Sequence, residues 1–145
     1  MDRIRKGIGA KTRVVGITWV HSSSGLRMPV RRIADAIAEQ NANRGSENRV
    51  LLVVDGVHGI GVEDPHITAL GADVFAAGLH KWIFAPRGTG FVWARPEVWA
   101  TMRPLMASFQ ALEEYHAWAE ERPARPPIRA AMFSPGGFQA YEHHW

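Results

Sequence analysis

The 145-residue sequence contains no cysteine. Disulfide bonds and zinc–thiolate sites are therefore excluded, and any covalent chemistry of this chain must use a residue other than a thiol. The sequence also lacks an apolar run approaching the roughly 18 residues that cross a bilayer. No hydrophobic segment follows the basic N-terminus MDRIRKGIGAKTR, as it would in a secretory signal. We therefore expect a cytoplasmic protein without a membrane segment.

The composition is that of an ordinary globular protein, with 46% hydrophobic and 21% charged residues. A chain of this length suits one domain with a real buried core. The net charge of +3 raises the possibility of nucleic-acid binding. However, basic and acidic residues alternate over most of the chain, and a solvated face or a surface that meets another segment explains the basic cluster at residues 3–13. We expect no nucleic-acid partner.

Three short apolar runs, at residues 14–18, 50–54 and 74–77, each end in small or polar residues. Such runs are typical of parallel strands that are covered on both faces. Between the first two runs, Pro29 opens a predicted helix. Its apolar stripe consists of Val30, Ile33, Ala34, Ile37 and Ala38. Residues 63–71 leave room for one short helix. This order of elements predicts an α/β fold with a doubly wound, mostly parallel sheet.

The C-terminal part of the sequence departs from the strand–helix alternation. The apolar residues 91–94 follow the third run too closely for a helical crossover, so we predict an antiparallel strand. Residues 96–102 then resemble a short helix with proline near its start. The stretch RPARPP, which begins at residue 122, predicts an extended linker, and residues 142–145 predict the first turn of another helix.

Three polar clusters follow the predicted parallel strands. They are His21 to Ser24, Asp55 to His58, and His80 with Lys81. Ligands of open α/β sheets bind outside the carboxyl ends of the strands, so these clusters mark a candidate site. Several enzyme types use a carboxylate, a lysine and imidazoles together. A metal site is not predicted, because the histidines lack the i, i+4 spacing and the clustered carboxylates of zinc motifs.

The order and spacing of Asp55 and Lys81 reduce the number of enzyme types that fit these residues. Asp55 precedes Lys81 by 81 − 55 = 26 residues, which is one strand–helix–strand step, so the two side chains leave adjacent strand ends. Pyridoxal 5'-phosphate (PLP) needs an amine to hold it as an imine and a carboxylate to keep its pyridine nitrogen protonated. The predicted geometry places these two groups at opposite ends of a pyridine ring.

Four linked motifs resemble those of the class V aminotransferase family, which includes cysteine desulfurases, kynureninases and isopenicillin N epimerase-like proteins. The motifs are D-G-V-H-G-I-G from residue 55, G-A-D-V-F from 71, G-L-H-K-W from 78 and P-R-G-T-G from 86. The resemblance runs from about Arg13 to Trp145. It implies part of the large domain of a fold type I PLP-dependent transferase, with residues 1–121 as the lysine-bearing portion. Residues 122–145 would lead to a small C-terminal domain.

The resemblance also implies roles for individual residues. Lys81 matches the lysine of the internal aldimine, and Asp55 matches the partner of the pyridine nitrogen. His58 matches a residue near the phenolic oxygen of PLP, and Ser22 falls where relatives place a polar residue near the same oxygen. His80 matches a contact of the phosphate. Some relatives also bind phosphate through a hydroxyl residue three positions before the lysine, where this sequence has Gly78.

The function implied by the resemblance is that of a PLP-dependent enzyme acting on an amino acid, as an aminotransferase, lyase or epimerase. Lys81 would move a proton between the substrate and the cofactor. The absence of cysteine weakens the desulfurase reading. Family members act as homodimers, so a homodimer is expected of the full-length protein. The alternative is a truncated fragment or pseudoenzyme of this family, without turnover of its own.

Overall fold

The computed structural model describes residues 1–102 and 112–122. The chain divides into two compact units, Met1–Ala94 and Arg95–Trp145. The first unit contains α1 (Asp2–Gly7), β1 (Val14–Thr18), α2 (Val30–Asn41), β2 (Leu51–Asp55), β3 (Val74–Gly78) and β4 (Gly90–Ala94). Short 3₁₀ helices, Ser46–Asn48 and Ile67–Leu70, precede β2 and β3. The second unit contains α3 (Pro96–Trp99) and α4 (Leu112–Ala119).

The four strands form one sheet in the order β1-β2-β3-β4. β1, β2 and β3 are parallel, and β4 pairs antiparallel with β3, as residues 91–94 predicted. The α/β class and the mostly parallel sheet are confirmed. The strand order advances in one direction, so the reversal that defines a doubly wound sheet does not occur among the strands of the described residues.

The core lies on one face of the sheet. α2 buries Val30, Ile33, Ala34 and Ile37 against the strands, as its apolar stripe predicted. Ala38 is exposed and Ala36 is buried instead. These two alanines flank the stripe on opposite sides, and neighbouring elements cover only the Ala36 side.

The opposite face of the sheet is only partly covered within the described residues. Burial alternates along β2, where Leu52 and Val54 are buried while Leu51 and Val53 are not. Val14 and Val92, on the edge strands, are 55% and 50% exposed. The prediction that the parallel strands are covered on both faces is therefore wrong for β1 and β2 in this part of the chain, whereas every residue of β3 is buried or half-buried. A run of apolar residues fits either arrangement, because hydrophobic residues also occur on open surfaces.

Asp73, in the G-A-D-V-F motif, ties β2 to β3. Its carboxylate is almost fully buried and accepts hydrogen bonds from the Leu52 backbone N–H at 2.9 Å and from the Arg49 guanidinium at 2.8 Å. The Asp73 N–H donates in turn to the Leu52 carbonyl at 2.9 Å. Buried carboxylates are retained when they are paired in this way. Asp73 therefore has a structural role between the two strands that carry the candidate site.

Two α-helices were not predicted. Ile4 of α1 and the flanking residues Met1 and Ile8 pack in or against the core, at the i, i+3 and i+7 spacing of an amphipathic helix. Arg5 pairs with Glu39 of α2 at 2.8 Å, so one residue of the basic N-terminal cluster joins two helices. The other unpredicted helix is α4.

The predictions for the C-terminal part have mixed outcomes. The helix predicted at residues 96–102 is present as α3 but ends at Trp99. Beyond residue 122, the RPARPP linker and the helix predicted at 142–145 lie outside the described residues, and the division into residues 1–121 and 122–145 stays a prediction. No helix within the described residues is long and apolar enough to cross a membrane.

Candidate functional site

The carboxyl ends of the three parallel strands meet at one edge of the sheet. Thr18, Asp55 and Ala76 lie side by side in the strand register. Two further backbone hydrogen bonds of 2.8 Å extend this edge, from Trp19 N–H to the Asp55 carbonyl and from Gly56 N–H to the Ala76 carbonyl. The three segments that carry the predicted site residues therefore leave the sheet at the same edge.

Asp55 is exposed at the end of β2. One of its carboxylate oxygens accepts a hydrogen bond from the Val57 N–H at 3.0 Å, and the other has no partner among the described residues. Beside it lies an open depression of about 270 Å³, lined by Gly16, Ile17, Thr18, Val53 and Asp55. The site therefore offers an available carboxylate oxygen next to a small, mainly apolar surface.

Two glycines of the D-G-V-H-G-I-G motif allow the loop after Asp55 to pack on the core. A Cβ at Gly56 would lie 1.9 Å from the ring of Phe75, and one at Gly59 would lie 2.2 Å from the ring of Trp19. Both rings are buried. Only glycine permits these approaches, since real Cβ atoms do not come so near. The loop is thereby fixed at its two ends around His58.

Lys81 lies in the turn that follows β3. The two ends of this turn are joined by hydrogen bonds from Leu79 N–H to the Thr89 carbonyl at 3.0 Å and from Ala85 N–H to the Leu79 carbonyl at 3.2 Å. The Lys81 side chain is exposed, and no described residue accepts a hydrogen bond from its ammonium group. The P-R-G-T-G motif thus closes the lysine-bearing loop through Thr89 and leaves the amine available.

The two histidines of the site have different surroundings. His58 is half-buried, and its Nδ1 accepts a hydrogen bond from the Trp82 indole N–H at 3.3 Å. His80 is exposed, and its ring lies 3.1 Å from the position that a Cβ at residue 78 would take. Gly78 therefore makes room for the His80 ring.

Ser22 lies in a hairpin turn beyond β1, which Val20 and Arg27 close by pairing antiparallel. The hydroxyls of the next two serines, Ser23 and Ser24, each lie 3.1 Å from Nδ1 of His21. Ser22 is exposed, and its hydroxyl has no partner among the described residues. Among the described residues, no hydrogen bond joins Ser22 to Asp55 or Lys81. Ser22 therefore lies in the loop that follows β1 and is not connected by a hydrogen bond to the other predicted site residues, so its role stays a prediction.

Sequence reasoning missed the contact made by Trp82. Its position directly after Lys81 is visible in the sequence, but its partner lies 24 residues away in another loop. The G-A-D-V-F motif does not by itself indicate the structural role of Asp73 between β2 and β3. Within residues 1–102 and 112–122, no three His, Asp or Glu side chains gather as metal ligands.

The fold is that of an α/β domain, and the loops that follow its parallel strands form a candidate ligand site. The sequence model of the family described as aminotransferase class V matches residues 1–131. The chain therefore belongs to the class V aminotransferase family, whose members are PLP-dependent enzymes acting on amino acids.

This chain matches only a part of the length of each curated relative reported below. Isopenicillin N epimerase of Amycolatopsis lactamdurans is 35% identical over 102 residues, which cover 70% of this chain and 24% of that protein. Isopenicillin N epimerase of Streptomyces clavuligerus is 31% identical over 128 residues, covering 87% of this chain and 28% of that protein. The chain thus spans about a quarter of the length of these curated relatives.

Solved structures confirm the fold. A NifS-like protein superposes with a TM-score of 0.65 at 21% identity, covering 93% of this chain and 32% of that chain. A cysteine desulfurase of Escherichia coli superposes with a TM-score of 0.62 at 18% identity, covering 74% of this chain and 25% of that chain. At these identities the likeness concerns the fold alone.

Proposed function

We propose that this chain carries the lysine-bearing half of a PLP site and acts on an amino acid as part of an aminotransferase, lyase or epimerase. The observation that carries the proposal is the position of Asp55 at the end of β2 and of Lys81 in the turn after the neighbouring strand β3. The Asp55 carboxylate accepts one backbone hydrogen bond, the Lys81 ammonium donates none to a described residue, and neither forms an ion pair there. Two groups of opposite charge at one sheet edge that do not form an ion pair with each other are both available to bind one ligand.

The groups at this edge fit PLP. Asp55 offers a carboxylate oxygen to the protonated pyridine nitrogen, and the depression beside it presents apolar surface to a flat ring. Lys81 has the amine that holds the cofactor covalently. His58 would contact the phenolic oxygen, His80 the phosphate, and Ser22 the phenolic oxygen from the hairpin.

PLP, when bound, supplies an electron sink for the bonds at the substrate Cα. The tasks of the protein are binding, orientation and proton transfer. The Asp55 carboxylate favours the protonated pyridine nitrogen, because a nearby negative charge stabilises a cation. The Lys81 amine, when it is not bound to the cofactor, would move a proton at the substrate Cα.

A homodimer is proposed for the full-length protein. Apolar side chains next to Lys81 support this: Trp82 is 48%, Ile83 45% and Phe84 85% exposed. Exposed apolar patches of this kind are typical of surfaces that meet a partner. Sedimentation of the full-length protein would test the proposal, and a monomer at micromolar concentration would refute it.

The second candidate is a chain that folds without turnover. The share of the relatives that the chain spans, 24% of one epimerase and 28% of the other, supports it. A panel of amino acids offered to the PLP-loaded chain would distinguish the candidates, because only the first consumes substrate.

The decisive test of the cofactor site is chemical labelling. The chain is incubated with PLP, reduced with borohydride, digested and mapped, and the pyridoxyl group is expected on Lys81. Lys6 and Lys11 are the only other lysines and serve as internal controls. Lys81→Arg keeps the positive charge but cannot be labelled, so it should abolish the modification. Labelling of Lys6 or Lys11 in the parent, or an unchanged label in Lys81→Arg, would refute the assignment.

A further inference from the structure

One side-chain hydrogen bond joins the loop after β2 to the loop after β3. The Trp82 indole nitrogen lies 3.3 Å from Nδ1 of His58. The two rings meet edge to face, with centroids 6.3 Å apart and planes inclined by 68°. An indole N–H can only donate, so Nδ1 of His58 must be the acceptor and carries no proton. A neutral imidazole then has its proton on Nε2.

We propose that Trp82 is a positioning residue that holds His58 in the Nε2–H tautomer. With Nδ1 occupied by the indole, the remaining ring nitrogen becomes a hydrogen-bond donor. The N–H group at Nε2 of His58 can then donate a hydrogen bond to a ligand oxygen that bears negative charge. Given the proposed function, that oxygen belongs to the cofactor ring, so this role of His58 rests on PLP binding at Lys81.

The contact between the two loops keeps Trp82 in place. Gly61 has a φ of +79°, a conformation that residues with a Cβ rarely adopt. A Cβ at Gly61 would also lie 2.8 Å from Cδ1 of Ile83 and 3.2 Å from the Trp82 carbonyl oxygen. The loop of His58 therefore lies directly against the loop of Lys81. Since Trp82 follows Lys81 in the chain, the residue next to the reactive amine sets the tautomer of His58.

The tautomer can be measured without any cofactor. In ¹⁵N-labelled protein at about pH 8, where imidazoles are ordinarily neutral, long-range ¹H–¹⁵N correlation distinguishes protonated from unprotonated ring nitrogens. His58→Gln identifies the His58 signals among those of the seven histidines. We expect a single Nε2–H tautomer in the parent. In Trp82→Phe, the His58 nitrogens should shift toward the average of two exchanging tautomers.

Trp118 provides a matched control, because its side chain is exposed to a similar extent, 45%, and its ring contacts Tyr115. Trp118→Phe should leave the His58 signals unchanged. A mixture of tautomers in the parent, or an unchanged His58 tautomer in Trp82→Phe, would overturn the proposal. Should Trp82→Phe fail to fold, His58→Leu tests the same contact, since leucine offers no acceptor and the Trp82 indole proton should then lose its hydrogen-bonded shift. A shift that stays unchanged would overturn the proposal.

A second measurement tests the role toward the cofactor. In Trp82→Phe the dissociation constant for PLP should rise about threefold to tenfold, as expected when one neutral hydrogen bond is lost. An unchanged dissociation constant would overturn this role of Trp82. The tautomer is read in protein without PLP, so failure to label Lys81 would refute the proposed function and leave the tautomer result standing.

Discussion

Replacing Gly56 by alanine tests the packing that holds Asp55 in place. The added Cβ would lie 1.9 Å from Cζ of Phe75 and 2.5 Å from its two Cε atoms. Phe75 has no exposed surface, and its ring lies 6.0 Å, centroid to centroid, from each of the rings of Trp19 and Phe91. A buried ring with these neighbours cannot move without further repacking, so we expect the backbone after Asp55 to shift.

The expected cost follows from two opposing effects. Overpacking a well-filled core usually costs about 1–3 kcal/mol. Alanine also restricts the unfolded chain, which returns about 0.4–1 kcal/mol where the backbone tolerates a side chain. Gly56 is not among the residues with positive φ, so this gain applies. Since the clash falls on a ring that cannot yield, we expect a net destabilisation of about 2 kcal/mol.

Urea unfolding, followed by tryptophan fluorescence, measures this difference. With a slope of about 2 kcal/mol per molar, the midpoint should fall by about 1 M. Gly9→Ala is the matched control, because a Cβ there meets nothing within 4 Å, and its midpoint should stay or rise slightly. A Gly56→Ala midpoint equal to that of Gly9→Ala would refute the packing argument. It would also remove the reason for expecting the backbone after Asp55 to shift in the Gly56→Ala variant.

Three further substitutions have defined outcomes. Asp55→Asn, in a full-length background, should lower kcat at least about tenfold while PLP stays bound, because the pyridine nitrogen loses its anionic partner. Unchanged turnover would contradict the role of Asp55 as the partner of the pyridine nitrogen. Gly78→Ser should cost less than about 1 kcal/mol, since the exposed His80 ring can rotate away. It should nevertheless shift the His80 ring resonances, and identical spectra would show that the ring lies elsewhere. Asp73→Ala should destabilise by about 2 kcal/mol, because a buried backbone N–H of β2 loses its acceptor; a urea midpoint equal to the parent's would exclude this structural role.

The sequence by itself determined where the strands lie along the chain, to within about one residue at their ends. Short apolar runs that stop at polar residues mark β1, β2 and β3, and the short connection before residue 91 required β4 to be antiparallel. The spacing of Asp55 and Lys81 then placed both at one sheet edge. These features follow from local periodicity and connection length, which a linear pattern records directly.

Tertiary structure decided the features that depend on which residues meet across the fold. The choice of His58 as the partner of Trp82, the fit of Phe75 against Gly56 and the burial of Asp73 between two strands all join residues far apart in sequence. The exposure of one sheet face is of the same kind. An apolar residue in a strand has the same identity whether its face is covered or open, because burial is decided by the neighbouring elements and not by the residue itself.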